Sequence, residues 1–139
     1  MDTEFNLERF VEAQAPVYKE VVAELKAGRK TGHWMWFIFP QIAGLGASDK
    51  AHKFAIASAD EAAAYLAHPV LGARLRECSA LVAAIDDREI GDIFGAPDDL
   101  KFHSSMTLFA EIAPDEAVFQ DCINKFFDGV PDEATLERL

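Results

Sequence analysis

Residues 34–39, Trp-Met-Trp-Phe-Ile-Phe, constrain this chain more than any other stretch. They are apolar on every side, so folding has to bury the whole run rather than one face of it. A membrane is not the place for it, because a spanning helix needs about 20 such residues. His33 opens the run, following Gly32, and Pro40 and Gln41 close it. A turn-forming segment, Gly44-Leu45-Gly46-Ala47-Ser48, comes next. Periodicity cannot separate a buried helix from a buried strand over so short a run. The rest of the chain reads as helical and offers no second strand. The expectation is therefore a short buried helix, capped by Thr31 or Gly32 and limited by Pro40.

Asn6 is the expected N-cap of a helical pattern carried by Leu7, Phe10, Val11, Val17, Val21 and Leu25 up to Gly28. Pro16 interrupts it, which predicts a helix near 6–14 and a longer one near 15–27. Gly28 is the expected stop, with Lys26 in the last turn where a cation suits the dipole. Ser48 is placed to cap a helix holding Phe54 and Ile56. Asp60 begins the next, which ends at His68-Pro69, and Pro69 suits the first turn of another reaching about Ile85. A short turn of helix is expected over 89–94, and Gly95-Ala96-Pro97 marks a boundary. Pro97-Asp98-Asp99 starts a helix to Glu111, Pro114-Asp115-Glu116 one to Phe127, and a last short helix follows Pro131.

A chain of 139 residues, half of them hydrophobic and eleven of them phenylalanine, is not a disordered composition. At this size folding buries roughly 70% of the surface that the unfolded chain exposes, enough for a core without staples. No repeat, linker or low-complexity tract divides it. The expected architecture is all-α: a single compact multi-helix domain over 1–139, with a buried aromatic segment and no substantial sheet.

Cys78 falls in register with Leu71, Leu75, Val82 and Ile85, and Cys122 with Phe119, Ile123 and Phe126. Both read as small hydrophobes on buried helix faces, and nothing else suggests a disulfide-stapled secreted scaffold. The Met-Asp-Thr-Glu start is acidic and lacks the basic and apolar regions of a signal peptide. A cytoplasmic protein with no membrane association is expected.

The net charge is −11, and it is unevenly placed. Residues 1–58 sum to zero, so residues 59–139 supply all of it. Within 26–53, Lys26, Arg29, Lys30, Lys50 and Lys53 face a single acid, Asp49. The overall field opposes nucleic-acid phosphates. It does not oppose one small anion held beside the aromatic run.

On a helical wheel of 97–112, Lys101 and Ser105 fall one turn apart on a face that otherwise looks inward, while His103, Thr107 and Glu111 fall on the opposite, solvent side. A buried ammonium is costly unless it meets an anion. Lys101 is thus either a snorkelling surface lysine or a cation pointing into a cavity. His33 is either a cap or core residue, or an acid–base group in a pocket. Gly44 and Gly46, with Ser48 ahead of a helix, are similar to phosphate-binding turns. They lack the preceding strand, the third glycine of a dinucleotide fingerprint and a Gly-Lys-Ser/Thr ending. Histidines and cysteines show no metal-ligand spacing, and no cofactor is implied.

The run at 32–48 resembles the family known as domain of unknown function eighteen-ten. So do Tyr65-Leu66-Ala67-His68-Pro69-Val70-Leu71-Gly72, Asp98-Asp99-Leu100-Lys101 and Ser104-Ser105-Met106-Thr107-Leu108-Phe109. The resemblance extends over essentially the whole chain. It implies a mostly helical, compact fold and no particular reaction. Members are sometimes labelled calpastatin, but calpastatin inhibitory regions are disordered repeats and this composition is that of a folded core.

Two functional classes follow. In the first, Trp34, Trp36, Gln41, Gly44, Gly46, Ser48 and Ser105 line a pocket for a small anionic, nucleotide-like or phosphorylated metabolite. Lys101 is the electrostatic stabiliser there, and His33 is the acid–base group should the ligand be turned over by a hydrolase or transferase. In the second, the tryptophans are core and the protein is a non-catalytic interaction or structural domain.

Overall fold

A computed structural model describes residues 5–139. Among the described residues ten helices follow in order: α1 (Glu8–Gln14), α2 (Tyr18–Ala27), α3 (Met35–Ile38), α4 (Asp49–Lys53), α5 (Ala59–Ala67), α6 (Leu71–Ala83), α7 (Ile90–Phe94), α8 (Asp98–Ile112), α9 (Ala117–Phe126) and α10 (Glu133–Glu137). No strand forms among the described residues. The all-α expectation holds, and no helix here is long and apolar enough to cross a membrane.

The long helices α6 and α8 organise the rest. α8 packs against α5, α7, α9 and α10, and α6 against α2, α3, α5 and α9. Burial therefore runs round α8: Phe102 and every residue from Ser104 to Ala110 are buried. Thr107, expected on the solvent side, is 1% exposed. A helix enclosed on all sides has no polar face to locate, so a wheel cannot orient it. His103 is half-buried, with its ring stacked on Phe127 at 3.9 Å and its Nε2 2.7 Å from the Val130 carbonyl.

Phenylalanines fill the core in two connected sets. Phe37, Phe54, Phe10, Tyr65, Phe109 and Phe119 run in contact through one half. Trp34, Phe39, Phe94 and Phe102 pack edge and face in the other. Phe102 and Phe109, two turns apart on α8, bring the sets together. Such pairs add about 0.5–1.5 kcal/mol each beyond area burial.

The chain enters the aromatic run through a tight helix end. Gly28 takes the left-handed conformation at φ +79°, Arg29 N donates to Glu24 O at 3.1 Å, and Gly28 N to Leu25 O at 3.1 Å. This is a Schellman stop, where glycine was expected. Two differences lie upstream. Asn6 does not cap α1, since it adopts φ +52° and Leu7 takes the cap position. α2 starts at Tyr18 rather than 15, because Ala15–Val17 turn between the helices.

α3 is the expected short buried helix, a single turn before Pro40, but Trp34 takes its cap position rather than Thr31 or Gly32, whose N–H groups go to Glu24. Its loose Phe37 carbonyl accepts Gln14 Nε2 at 2.7 Å, and Gln14 also donates to the Tyr65 hydroxyl at 3.0 Å. A buried helix end requires such partners. After α3 the chain leaves and returns: Ile56 N donates to Gln41 O at 2.9 Å and Ala43 N to Ile56 O at 2.8 Å, an isolated parallel bridge. Ile56 is therefore a bridge residue, not part of the helix that Ser48 caps, and Phe54 is the C-cap of that helix. The bridge closes a 41–56 loop against the aromatic run.

Arg9 locks that loop from the other side. Its guanidinium donates to the carbonyls of Phe5, Asn6, Lys53 and Ala55 and pairs with Glu61 at 2.8 Å. Glu61, buried in the first turn of α5, also accepts Ala57 N at 2.8 Å.

Candidate functional site

Trp36 sits where α3, the 41–56 loop and the first turn of α8 meet, and it is half-buried rather than buried. Lys50 of α4 holds Nζ 4.9 Å from its ring centre, and Lys101 of α8 holds Nζ 5.0 Å from it. Ammonium groups are attracted to an indole face by the ring quadrupole. Two of them around one ring lie within about 10 Å of each other, roughly one Debye length, so they repel.

A carboxylate offsets this only in part. Lys101 Nζ is 3.5 Å from Asp98 Oδ1, one turn back on α8, but Lys30 Nζ occupies Asp98 Oδ2 at 2.8 Å. Lys30 also donates to Gly32 O at 2.6 Å and lies 5.2 Å over the Trp34 ring. Among the described residues, Lys30 and Lys101 share the one carboxylate and Lys50 has none. The neighbourhood of Trp36 carries surplus positive charge within an acidic protein.

Beside the ring, Trp36, Gln41, Ile42, Gly44, Gly46, Ala51, Phe54 and Ala55 line a hollow of about 10 Å³. That is room for about one water, so any larger ligand lies across the mouth. Gly46 is required there, because a Cβ on it would come 2.6 Å from the Ala51 Cβ. The indole Nε1 of Trp36 and the Oγ of Ser105 are both buried without a hydrogen-bond partner among the described residues.

The residues singled out in the sequence separate into groups. Trp36, Gln41, Gly44 and Gly46 share the hollow, and Lys101 lies over the ring of Trp36. Ser48 is exposed and uses its Oγ to accept Ala51 N at 3.1 Å, capping α4 as expected. Ser105 is fully buried one turn along α8 from Lys101. His33 is exposed and makes no hydrogen bond or ion pair to a described residue.

Trp34 is 2% exposed and belongs to the core, with its Nε1 donating to Glu24 Oε1 at 3.0 Å. The same oxygen accepts Thr31 N at 2.7 Å and Gly32 N at 2.9 Å. Burial opposes ionisation of Glu24, but the donors from Gly32, Thr31 and Trp34 outweigh it and hold the carboxyl below the usual range. Glu24 thus fixes the chain where it enters α3.

Lys50 and Asp98 escaped sequence reasoning as site residues. Lys50 stood in the basic bracket around the aromatic run, which was the available signal. Asp98 stood at a helix start, where an acid is explained by the dipole alone. The two cysteines are free and buried, and burial pushes both thiols up to about 12. They are core residues, not nucleophiles. No group of three histidine, cysteine or carboxylate side chains that could hold a metal occurs among the described residues.

Fold and site together define a small all-helical protein with a cation-flanked tryptophan at its surface. A family profile described as "Protein of unknown function (DUF1810)" matches residues 4–139, and the chain belongs to this family. A solved structure, the conserved hypothetical protein Rv1873 from Mycobacterium tuberculosis, is similar at 53% identity and a TM-score of 0.97. The match covers 98% of this chain and 97% of that one. No protein of curated function matches the chain.

Proposed function

We propose that this protein binds a small anionic metabolite at the half-buried face of Trp36, between Lys50 and Lys101. The observation that carries this reading is the pair of ammonium groups around one indole, with Asp98 already engaged by Lys30. An anion there relieves the repulsion between the lysines, and the tryptophan supplies a flat surface for an apolar or aromatic part of the ligand. Gln41 and the Gly44–Gly46 backbone offer polar contacts at the mouth of the hollow. Binding rather than turnover is the reading supported, because His33 is exposed and is not among the lining residues.

The test is a thermal-shift and tryptophan-fluorescence titration with phosphate, sugar phosphates, nucleotides and carboxylates. A ligand at a hundred times its Kd adds about 2.7 kcal/mol of stability. Binding should raise the melting temperature, change the emission of Trp36 and weaken with added salt. Lys50→Met and Lys101→Met should each abolish these responses without unfolding the protein. If no anion at millimolar concentration alters melting or emission, the reading fails.

A further inference from the structure

One more cation lies against the loop that walls the hollow. Gly44 adopts φ +99°, and a Cβ built on it would lie 2.6 Å from Arg138 Nη1 and 2.9 Å from Arg138 Cζ. The guanidinium is therefore laid on the α-carbon of a residue whose backbone lines the hollow beside Trp36. The positive φ favours glycine at this position, and without a Cβ the guanidinium can rest directly against the backbone.

The start of α10, the helix that Arg138 follows as C-cap, is anchored on α8. Asp132, the N-cap of α10, accepts Ser104 Oγ at 3.0 Å and Thr135 N at 3.2 Å, while its own N–H donates to Thr107 Oγ1 at 2.8 Å. Ser104 and Thr107 lie on the buried helix whose first turn carries Lys101. One rigid element thus positions both Lys101 and the helix that ends in Arg138. The guanidinium has no carboxylate within ion-pair distance among the described residues.

Resting on the reading of Trp36 as an anion site, we infer that Arg138 is its third cation and that the ligand is a multiply charged phosphate compound, a phosphate monoester or diphosphate, rather than a monocarboxylate. Three unneutralised or half-neutralised cations (Lys50, Lys101 and Arg138) exceed what one carboxylate balances. A phosphate monoester carries about −1.5 to −2 at pH 7 and presents three acceptor oxygens. The planar fork of arginine matches two of those oxygens at once, whereas the lysines act as point charges.

Isothermal titration with inorganic pyrophosphate and with acetate tests this on the wild type, Arg138→Gln, Arg138→Lys and Lys101→Met. Arg138 is exposed at the end of α10, so Arg138→Gln should melt within a few degrees of the wild type. Pyrophosphate is expected to bind the wild type at least tenfold more tightly than acetate does. Arg138→Gln should weaken pyrophosphate about tenfold or more, with Arg138→Lys intermediate and Lys101→Met weak. Pyrophosphate binding that Lys101→Met destroys and Arg138→Gln leaves intact would overturn the role of Arg138 and keep the Trp36 site. Acetate binding as tight as pyrophosphate would overturn the ligand class. No binding of either probe to the wild type would remove the site itself, and this inference with it.

Discussion

Lys101 Nζ lies 5.0 Å from the centre of the Trp36 ring and 3.5 Å from an Asp98 carboxylate that Lys30 holds more tightly, at 2.8 Å. The lysine therefore rests on an aromatic face with half a counter-ion. A partly solvated cation–π contact contributes only about 0.5–1 kcal/mol. This arrangement stabilises the fold little and leaves the charge available.

Trp34 and Trp36 should respond oppositely to truncation. Trp34→Ala removes a buried indole, opens a cavity among Phe39 and Phe94 and takes away one of the donors to the Glu24 carboxylate. Its expected cost is about 3–5 kcal/mol. Trp36→Ala, at a half-buried position, should cost much less and remove anion binding. Urea denaturation of both variants measures the difference. Equal losses would mean that Trp36 is core as well.

Glu24 makes stability depend on pH in the acid range. Its folded-state value is lowered, so its contribution is fully present above the unfolded-state glutamate value of about 4.3 and disappears as pH falls through the lower folded value. The stability gap between the wild type and Glu24→Gln should therefore be constant from neutral pH to about 5. It should then narrow on further acidification. A gap that widened toward acid would contradict the hydrogen-bond pattern around Glu24.

Helix punctuation was legible in the sequence, and helix orientation was legible only where a helix has a solvent face. Gly28, Pro40, Pro97 and Ser48 act where their backbone chemistry says they should. α8 misled because neighbours cover it all round, so its polar residues mark buried bonds rather than an outer surface. Thr107 looked solvent-facing and instead accepts the Asp132 N–H. The Trp36 ring could be suspected from its composition and basic surroundings. That Lys50 and Lys101 meet at it depends on the 41–56 loop folding back, which rests on two backbone hydrogen bonds and on the bonds of the distant Arg9 to the Lys53 and Ala55 carbonyls, none of which a local side-chain pattern announces. Trp34 and Trp36 are two residues apart and equally apolar, so only tertiary packing distinguishes core from surface.

Gly72 stands in the first turn of α6, against the end of α5. A Cβ on it would lie 2.1 Å from the Leu66 carbonyl oxygen and 3.0 Å from the Leu66 carbonyl carbon. The obstacle is backbone, which cannot rotate away as a side-chain end can. Gly72→Ala should therefore destabilise by about 3 kcal/mol or more, at the upper end for overpacking. In an ordinary helix interior glycine-to-alanine is favourable by up to about 1 kcal/mol, so even the sign of the change in denaturation midpoint decides the matter.

The Arg9–Glu61 pair should prove costly to break and far less costly to replace. The side chains are 14% and 3% exposed, and the guanidinium's hydrogen bonds among the described residues all go to carbonyls or to the carboxylate. Removing one partner strands the other: among the described residues, Arg9→Met leaves the Glu61 carboxylate with Ala57 N alone, and Glu61→Leu leaves the guanidinium with carbonyls but no counter-ion. Each single change should cost about 3–5 kcal/mol. The double variant should cost clearly less than their sum, because neither charge is then buried unpaired. It should not reach zero, since the carbonyls of Lys53 and Ala55 lose their donor in any variant lacking Arg9. Those carbonyls belong to the loop that brings Lys50 to Trp36. Arg9→Met should therefore also weaken anion binding in protein that remains folded, whereas Glu61→Leu, which keeps the carbonyl bonds, should weaken it less.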